Sequence, residues 1–70
     1  MITVADAELL EVAGRPGGLH VYPGSDYRTD VERLEREGLL RPEQTDSGYR
    51  RWHLTLAGGT QLHIAQSVHR

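Results

Sequence analysis

Residues 40–56 read LRPEQTDSGYRRWHLTL. In the second half of this stretch, Tyr49 to Leu56, the apolar residues Trp52, Leu54 and Leu56 alternate with Arg51, His53 and Thr55. A period of two belongs to a strand with one buried face. Asp46-Ser47-Gly48 supplies a turn ahead of it. Leu40 to Thr45 is then the first arm of a hairpin. Pro42 brings no N–H to a ladder, which predicts that this arm lies at a sheet edge. The same alternation predicts that Trp52 is a core residue rather than an exposed stacking platform.

Upstream of the hairpin, Gly38 sits where a helix needs a left-handed cap, and Leu39 follows as the usual apolar contact. The helix it closes is expected to start at Ser25, a good N-cap, with Asp26 in the first turn where the helix dipole favours negative charge. Tyr27, Val31 and Leu34 fall at i, i+4 and i+7 and predict one inward stripe. Leu19 to Tyr22 reads as a short strand closed by Pro23-Gly24. A first helix is expected over residues 4–13. Thr3 is its N-cap, Asp6 the acidic partner of a capping box, and Gly14 with Pro16-Gly17-Gly18 the stop. Leu9, Leu10, Val12 and Ala13 give this helix a broad apolar side. Downstream, Gly58-Gly59 breaks the strand pattern, and a last helix over about residues 57–68 carries Leu62, Ala65 and Val68 on one side. The expected fold class is therefore α+β, in the order helix, short strand, helix, hairpin, helix.

Seventy residues make one domain, residues 1–70, with a small core. The chain has no cysteine, which excludes disulfides and thiolate metal sites. His20, His53, His63 and His69 contain no pair at metal-ligand spacing, so neither a metal nor another cofactor is expected. No apolar run approaches the ~20 residues of a membrane span. The opening MITVADAELL lacks the basic flank and apolar stretch of a signal peptide, and a cytoplasmic location is expected. The net charge of −2 argues mildly against a nucleic-acid partner, but the charge is uneven. Residues 1–46 hold five arginines and all ten acids, a net −5, whereas residues 47–70 hold three arginines and no acid, a net +3. Such asymmetry points to a polar partner surface.

The stretch Asp30 to Leu62, with DVERLEREGLL, a polar hairpin and YRRWHLTLAGGTQL, resembles the winged-helix transcription regulators of bacteria. In that family a helix ending LxxxGLL reads DNA, the hairpin after it is the wing, and LTxAG opens the next helix. The resemblance covers about half of the chain and implies a winged-helix-like domain that binds double-stranded DNA; the small cysteine-free core and the apolar side chains on both terminal helices point to a homodimer. The chain departs from the family pattern before the second helix. Only GGLHVYPGS separates the first two helices, so the helix-turn-helix is truncated or atypical.

On a helix with Tyr27, Val31 and Leu34 turned inward, Thr29, Arg33 and Arg36 face outward, with Arg28 beside them. Arginine and threonine on a groove-entering helix suit guanine edges and phosphates. Pairs such as Asp30–Arg33, Glu32–Arg36 and Arg33–Glu37 equally fit a solvated helix that needs no ligand. In the wing, Arg50, Arg51 and His53 lie in the acid-free half near the hairpin tip, where basic groups can follow a phosphate backbone. Charged residues on an edge strand also serve simply to prevent aggregation. The aromatic residues Tyr22 and Tyr49 are too scattered for a base-stacking platform. Catalysis is not expected. His20, Ser25 and Asp26 lack a third group to orient them, and the glycine pairs carry no phosphate-loop lysine. The expected activity is DNA binding through the second helix and the wing, and the alternative is a protein–protein interaction module.

Overall fold

The computed structural model of the chain describes residues 2–22, 24–46 and 50–68. It is an α+β fold of three helices and a three-stranded antiparallel sheet, compatible with a winged-helix-like domain. The elements are α1 (Val4–Ala13), β1 (Leu19–His20), α2 (Arg28–Arg36), β2 (Leu40–Gln44), β3 (Arg50–Leu54) and α3 (Leu56–Val68).

The hairpin of β2 and β3 forms as the alternation requires, with Leu40 opposite Leu54 and Pro42 opposite Trp52. The sheet order is β1-β3-β2, so β2 is an edge and Pro42 occupies the kind of strand that tolerates it. Of the turn expected at Asp46-Ser47-Gly48, Ser47 and Gly48 lie outside the described residues, as do Tyr49, Pro23, His69 and Arg70. β1 adds to the other side of β3, with Leu19 opposite Trp52 and His20 opposite Arg51. It is shorter than the Leu19 to Tyr22 strand expected. Val21 is still buried, but Tyr22 is exposed.

The core is built on the inward parity of the sheet and on one side of each helix. Leu10, Val31, Leu34 and Trp52 are its fully enclosed members. Burying side chains of this kind contributes roughly 1.5–3 kcal/mol each. Trp52 is 1% exposed, and its indole N–H donates to Glu35 Oε1 at 2.8 Å, so the ring is buried without an orphaned donor.

Helix ends follow the sequence in two places and depart from it in two. Thr3 caps α1, and the capping box with Asp6 is complete in both directions, at 3.0 and 3.3 Å. Gly38, at φ +80°, closes α2 in a Schellman turn. Leu39 N–H donates to Leu34 carbonyl and Gly38 N–H to Glu35 carbonyl, and both leucines join the core. Ser25, however, does not cap α2. Its hydroxyl accepts from Tyr27 N–H at 3.3 Å within a preceding turn, and the N-cap position falls to Tyr27. Tyr27 is consequently stranded at the helix entrance, 61% exposed, instead of extending the Val31–Leu34 stripe.

The second departure is at the end of β3. Strand parity puts Leu56 on the Trp52 side, yet it is the first residue of α3 and 91% exposed. Thr55 is the cause. Its Oγ1 accepts from Gly58 N–H at 2.9 Å, and its carbonyl accepts from Gly59 N–H at 2.9 Å, the pattern of an N-cap. Its hydroxyl also donates to Gly38 carbonyl at 2.7 Å, and its N–H to Leu39 carbonyl at 3.2 Å. Thr55 thus starts α3 and ties it to the end of α2. The glycine pair lies inside the first turn of α3 rather than breaking the chain before it. On the last helix Ala65 is buried and Leu62 packs against the core, but Val68 is exposed.

The two glycines make a matched test of this junction. A Cβ on Gly58 would stand 2.1 Å from Leu39 carbonyl oxygen, so Gly58→Ala forces backbone apart. A Cβ on Gly59 would meet only Leu54 Cδ2 at 3.7 Å. In urea unfolding, Gly58→Ala is expected to lose about 1–3 kcal/mol or more through overpacking, whereas Gly59→Ala gains about 0.5–1 kcal/mol from helix propensity.

Candidate functional site

The sequence offers two groups of polar residues to a ligand, one on α2 and one on the hairpin. The α2 group is largely committed within the protein. Arg28 Nε bonds Glu32 at 3.0 Å along the helix. Arg33, expected to point outward, instead reaches across to α1. Its Nη2 donates to Asp6 Oδ1 at 2.6 Å, with Asp30 at 3.7 Å and Glu37 at 3.3 Å completing its surroundings. The hydrogen bond to Asp6 is the main reason that the Arg33 guanidinium is held above its ordinary pKa, and Glu37 adds to the effect. Asp6 is buried, and it bonds the α1 N-terminus through one oxygen and Arg33 through the other. The pair locks two helices together, so Arg33 is a positioning residue of the fold. Only Thr29 and Arg36 of this group stand exposed with no side-chain hydrogen bond or ion pair to a described residue.

The hairpin group is arranged by strand register. Arg51 and His53 share the outer parity of β3, opposite to the side of Trp52. Register then adds residues that local spacing does not single out. His20 of β1 lies opposite Arg51, Glu43 of β2 opposite Arg51, and Arg41 of β2 opposite His53. Arg51 Nε donates to His20 Nε2 at 3.0 Å, and Arg51 Nη1 stands 3.7 Å from Glu43 Oε1. His53 Nε2 lies 3.2 Å from the same Glu43 oxygen. Glu43 is held below the ordinary carboxylate range, by the His53 hydrogen bond first, by the charge of His53 where that ring is protonated, and then by the charges of Arg51 and Arg41. Arg50 is exposed at the start of β3, opposite Gln44, and Arg41 is exposed on β2. Neither forms an ion pair with a described residue.

Arg51 and His53 are therefore brought together through Glu43, but no hydrogen bond or ion pair among the described residues joins them to Thr29 or Arg36. Sequence reasoning misses His20, Arg41 and Glu43 as neighbours of Arg51 and His53 because their relevance depends on which residues lie across the sheet. The clue in the sequence is the strand parity of Arg41 and Glu43, and it becomes usable only once the register is known. No group of three or more metal-ligating side chains occurs among the described residues. None of the helices described is long and apolar enough to cross a membrane.

The arrangement defines a small α+β domain with a polar sheet face of clustered arginine and histidine around one carboxylate. No family model, curated protein or solved structure matches the chain.

The assignment of Arg33 to the fold has a direct check. Asp6→Ala removes both the capping box and the partner of Arg33, and it is expected to cost about 1–2 kcal/mol in thermal or urea unfolding. Arg33→Ala is expected to lower the melting temperature too, with the double variant scarcely worse than either single one. Additive losses would show that the two side chains do not act as a pair.

Proposed function

We propose that the chain is a small DNA-binding, regulator-like protein of winged-helix type whose hairpin supplies most of the contact with the phosphate backbone. The observation that carries this reading is the distribution of uncommitted positive charge. On α2 two of three arginines are already bonded to carboxylates, while Arg41 and Arg50 on the hairpin stand exposed with no ion-pair partner among the described residues. Arg51 and His53 lie on the same sheet. Backbone contact needs this kind of sequence-independent cation display. Arg36 and Thr29 remain available to touch a groove edge, and Arg28 and Arg33 serve the helix and the fold. The resemblance of Asp30 to Leu62 to winged-helix regulators supports the same reading, and it implies binding rather than catalysis.

Binding to a duplex at low ionic strength, followed by fluorescence anisotropy over a salt series, tests the proposal. Removing one cation that touches a phosphate should reduce the salt slope by about one unit and weaken all sequences alike. Arg41→Ala with Arg50→Ala is therefore expected to lower the slope by about two units, and Arg33→Ala to leave it unchanged. An unmodified protein that binds no duplex even at low salt would overturn the reading.

A second reading, a protein-interaction module, is favoured by one observation on α3. Apart from His63 this helix carries no ionisable side chain, yet Leu56, Ile64 and Val68 are exposed along it. An open groove of about 370 Å3 runs between α1 and α3, lined by Val4, Ala7, Leu62 and Ala65 with Glu8 and Gln66. Exposed apolar surface of this kind marks interaction sites, and a second copy of the chain is the simplest partner. Sedimentation at rising concentration is expected to show a dimer that Ile64→Glu returns to monomer. A monomer throughout would reject self-association.

A further inference from the structure

The outer face of the sheet holds a polar network that the hairpin contact alone does not require. Its members come from all three strands: His20 from β1, Arg41 and Glu43 from β2, and Arg51 and His53 from β3. Helices α1 and α2 pack on the opposite, apolar parity. The charged pair before β1, Arg15 with Glu11, is bonded to itself at 3.4 Å. Glu43 is the sole carboxylate of the network.

The direction of one bond sets the behaviour of the group. A guanidinium nitrogen can only donate, so the 3.0 Å contact from Arg51 Nε makes His20 Nε2 the acceptor. That is possible only for a neutral imidazole. On the other flank Glu43 bonds His53 and attracts Arg51. In this state Arg51 is held from both sides, and the face carries two guanidiniums against one carboxylate.

A proton on His20 Nε2 reverses the first bond. Two N–H groups then face each other, and cation stands beside cation, so the Arg51 guanidinium is driven from its seat. A proton on His53 strengthens its hold on Glu43 and neutralises the one carboxylate that competes with an incoming anion. The formal charge of the face rises by two, and Arg51 becomes free to turn outward. Uptake of a proton by an imidazole is a common basis for such switches.

We propose that the outer sheet face is a proton-gated site for the phosphates of nucleic acid, with His20 and His53 as the gate and Glu43 as an internal competitor of the ligand. The proposal rests on the DNA-binding reading above and adds its regulation.

Duplex binding by the full chain at pH 7.8 and pH 5.8, at fixed ionic strength, reads the gate. The unmodified protein is expected to bind roughly tenfold tighter at the lower pH, with a salt slope steeper by about one to two units. His20→Gln with His53→Gln should abolish this response, while His63→Gln with His69→Gln should keep it, which separates the gate from a general rise in charge. Glu43→Gln should tighten binding at pH 7.8 and narrow the gap between the two pH values. All the altered side chains of the network are on the polar face, and far-ultraviolet circular dichroism at both pH values checks that each variant is folded. Equal affinity at the two pH values, or a response that survives in the His20/His53 variant, would overturn the gate and leave the DNA-binding reading standing. Absence of binding at both pH values would overturn that reading and the gate with it.

Discussion

The indole of Trp52 is held along two directions at once. Within the sheet it lies between Leu19 on β1 and Pro42 on β2, so the central strand carries the largest core side chain at the position where all three strands meet. Out of the sheet, its N–H reaches Glu35 on α2. A three-stranded sheet with a two-residue edge strand has little stability of its own. It persists because the apolar parity that Trp52 leads is covered by α1 and α2. Leu10, Val31 and Leu34 supply that cover. The polar outer parity follows as a consequence: burying Trp52 obliges Arg51 and His53 to face the other way.

Two further ties join the helices to this centre, and both are polar. The Asp6–Arg33 pair fastens α1 to α2, and its buried carboxylate has a partner for each oxygen. Thr55 fastens the start of α3 to the Schellman turn of α2, by its backbone N–H and by its hydroxyl. The second tie explains a glycine inside a helix, where glycine ordinarily weakens the structure. Gly58 lets the helix backbone press on Leu39 carbonyl, and no side chain would fit there.

These ties also redistribute charge. Ten acids and eight arginines would make a weakly anionic surface if they were scattered. Instead α2 neutralises two of its three arginines, in part by lending one to α1. The cations left exposed and uncommitted include Arg36 on α2 and Arg41 and Arg50 on the hairpin. A short helix rich in both signs thus leaves little free cationic surface despite its arginines, and the hairpin has a lower density of acids.

The local elements were legible in the sequence because they depend on neighbours a few residues away. The capping box at Thr3 and Asp6, the left-handed cap at Gly38, the edge position of Pro42 and the inward parity of Trp52 all rest on spacings of one to four residues. The order helix, strand, helix, hairpin, helix follows from them. Where two local signals competed, the sequence could not rank them. Thr55 suits a strand by parity and a helix by capping, and the nearby Gly38 and Leu39 carbonyls decided for the cap. Tyr27 fitted the apolar stripe by spacing but fell outside the helix that carries it. The candidate site was the least legible part. Arg33 was expected to face outward because its α1 partner lies 27 positions away in the chain, and His20 joined Arg51 across 31. Such pairings are set by how the strands align and how the helices cross, and only the packing of the folded chain determines them.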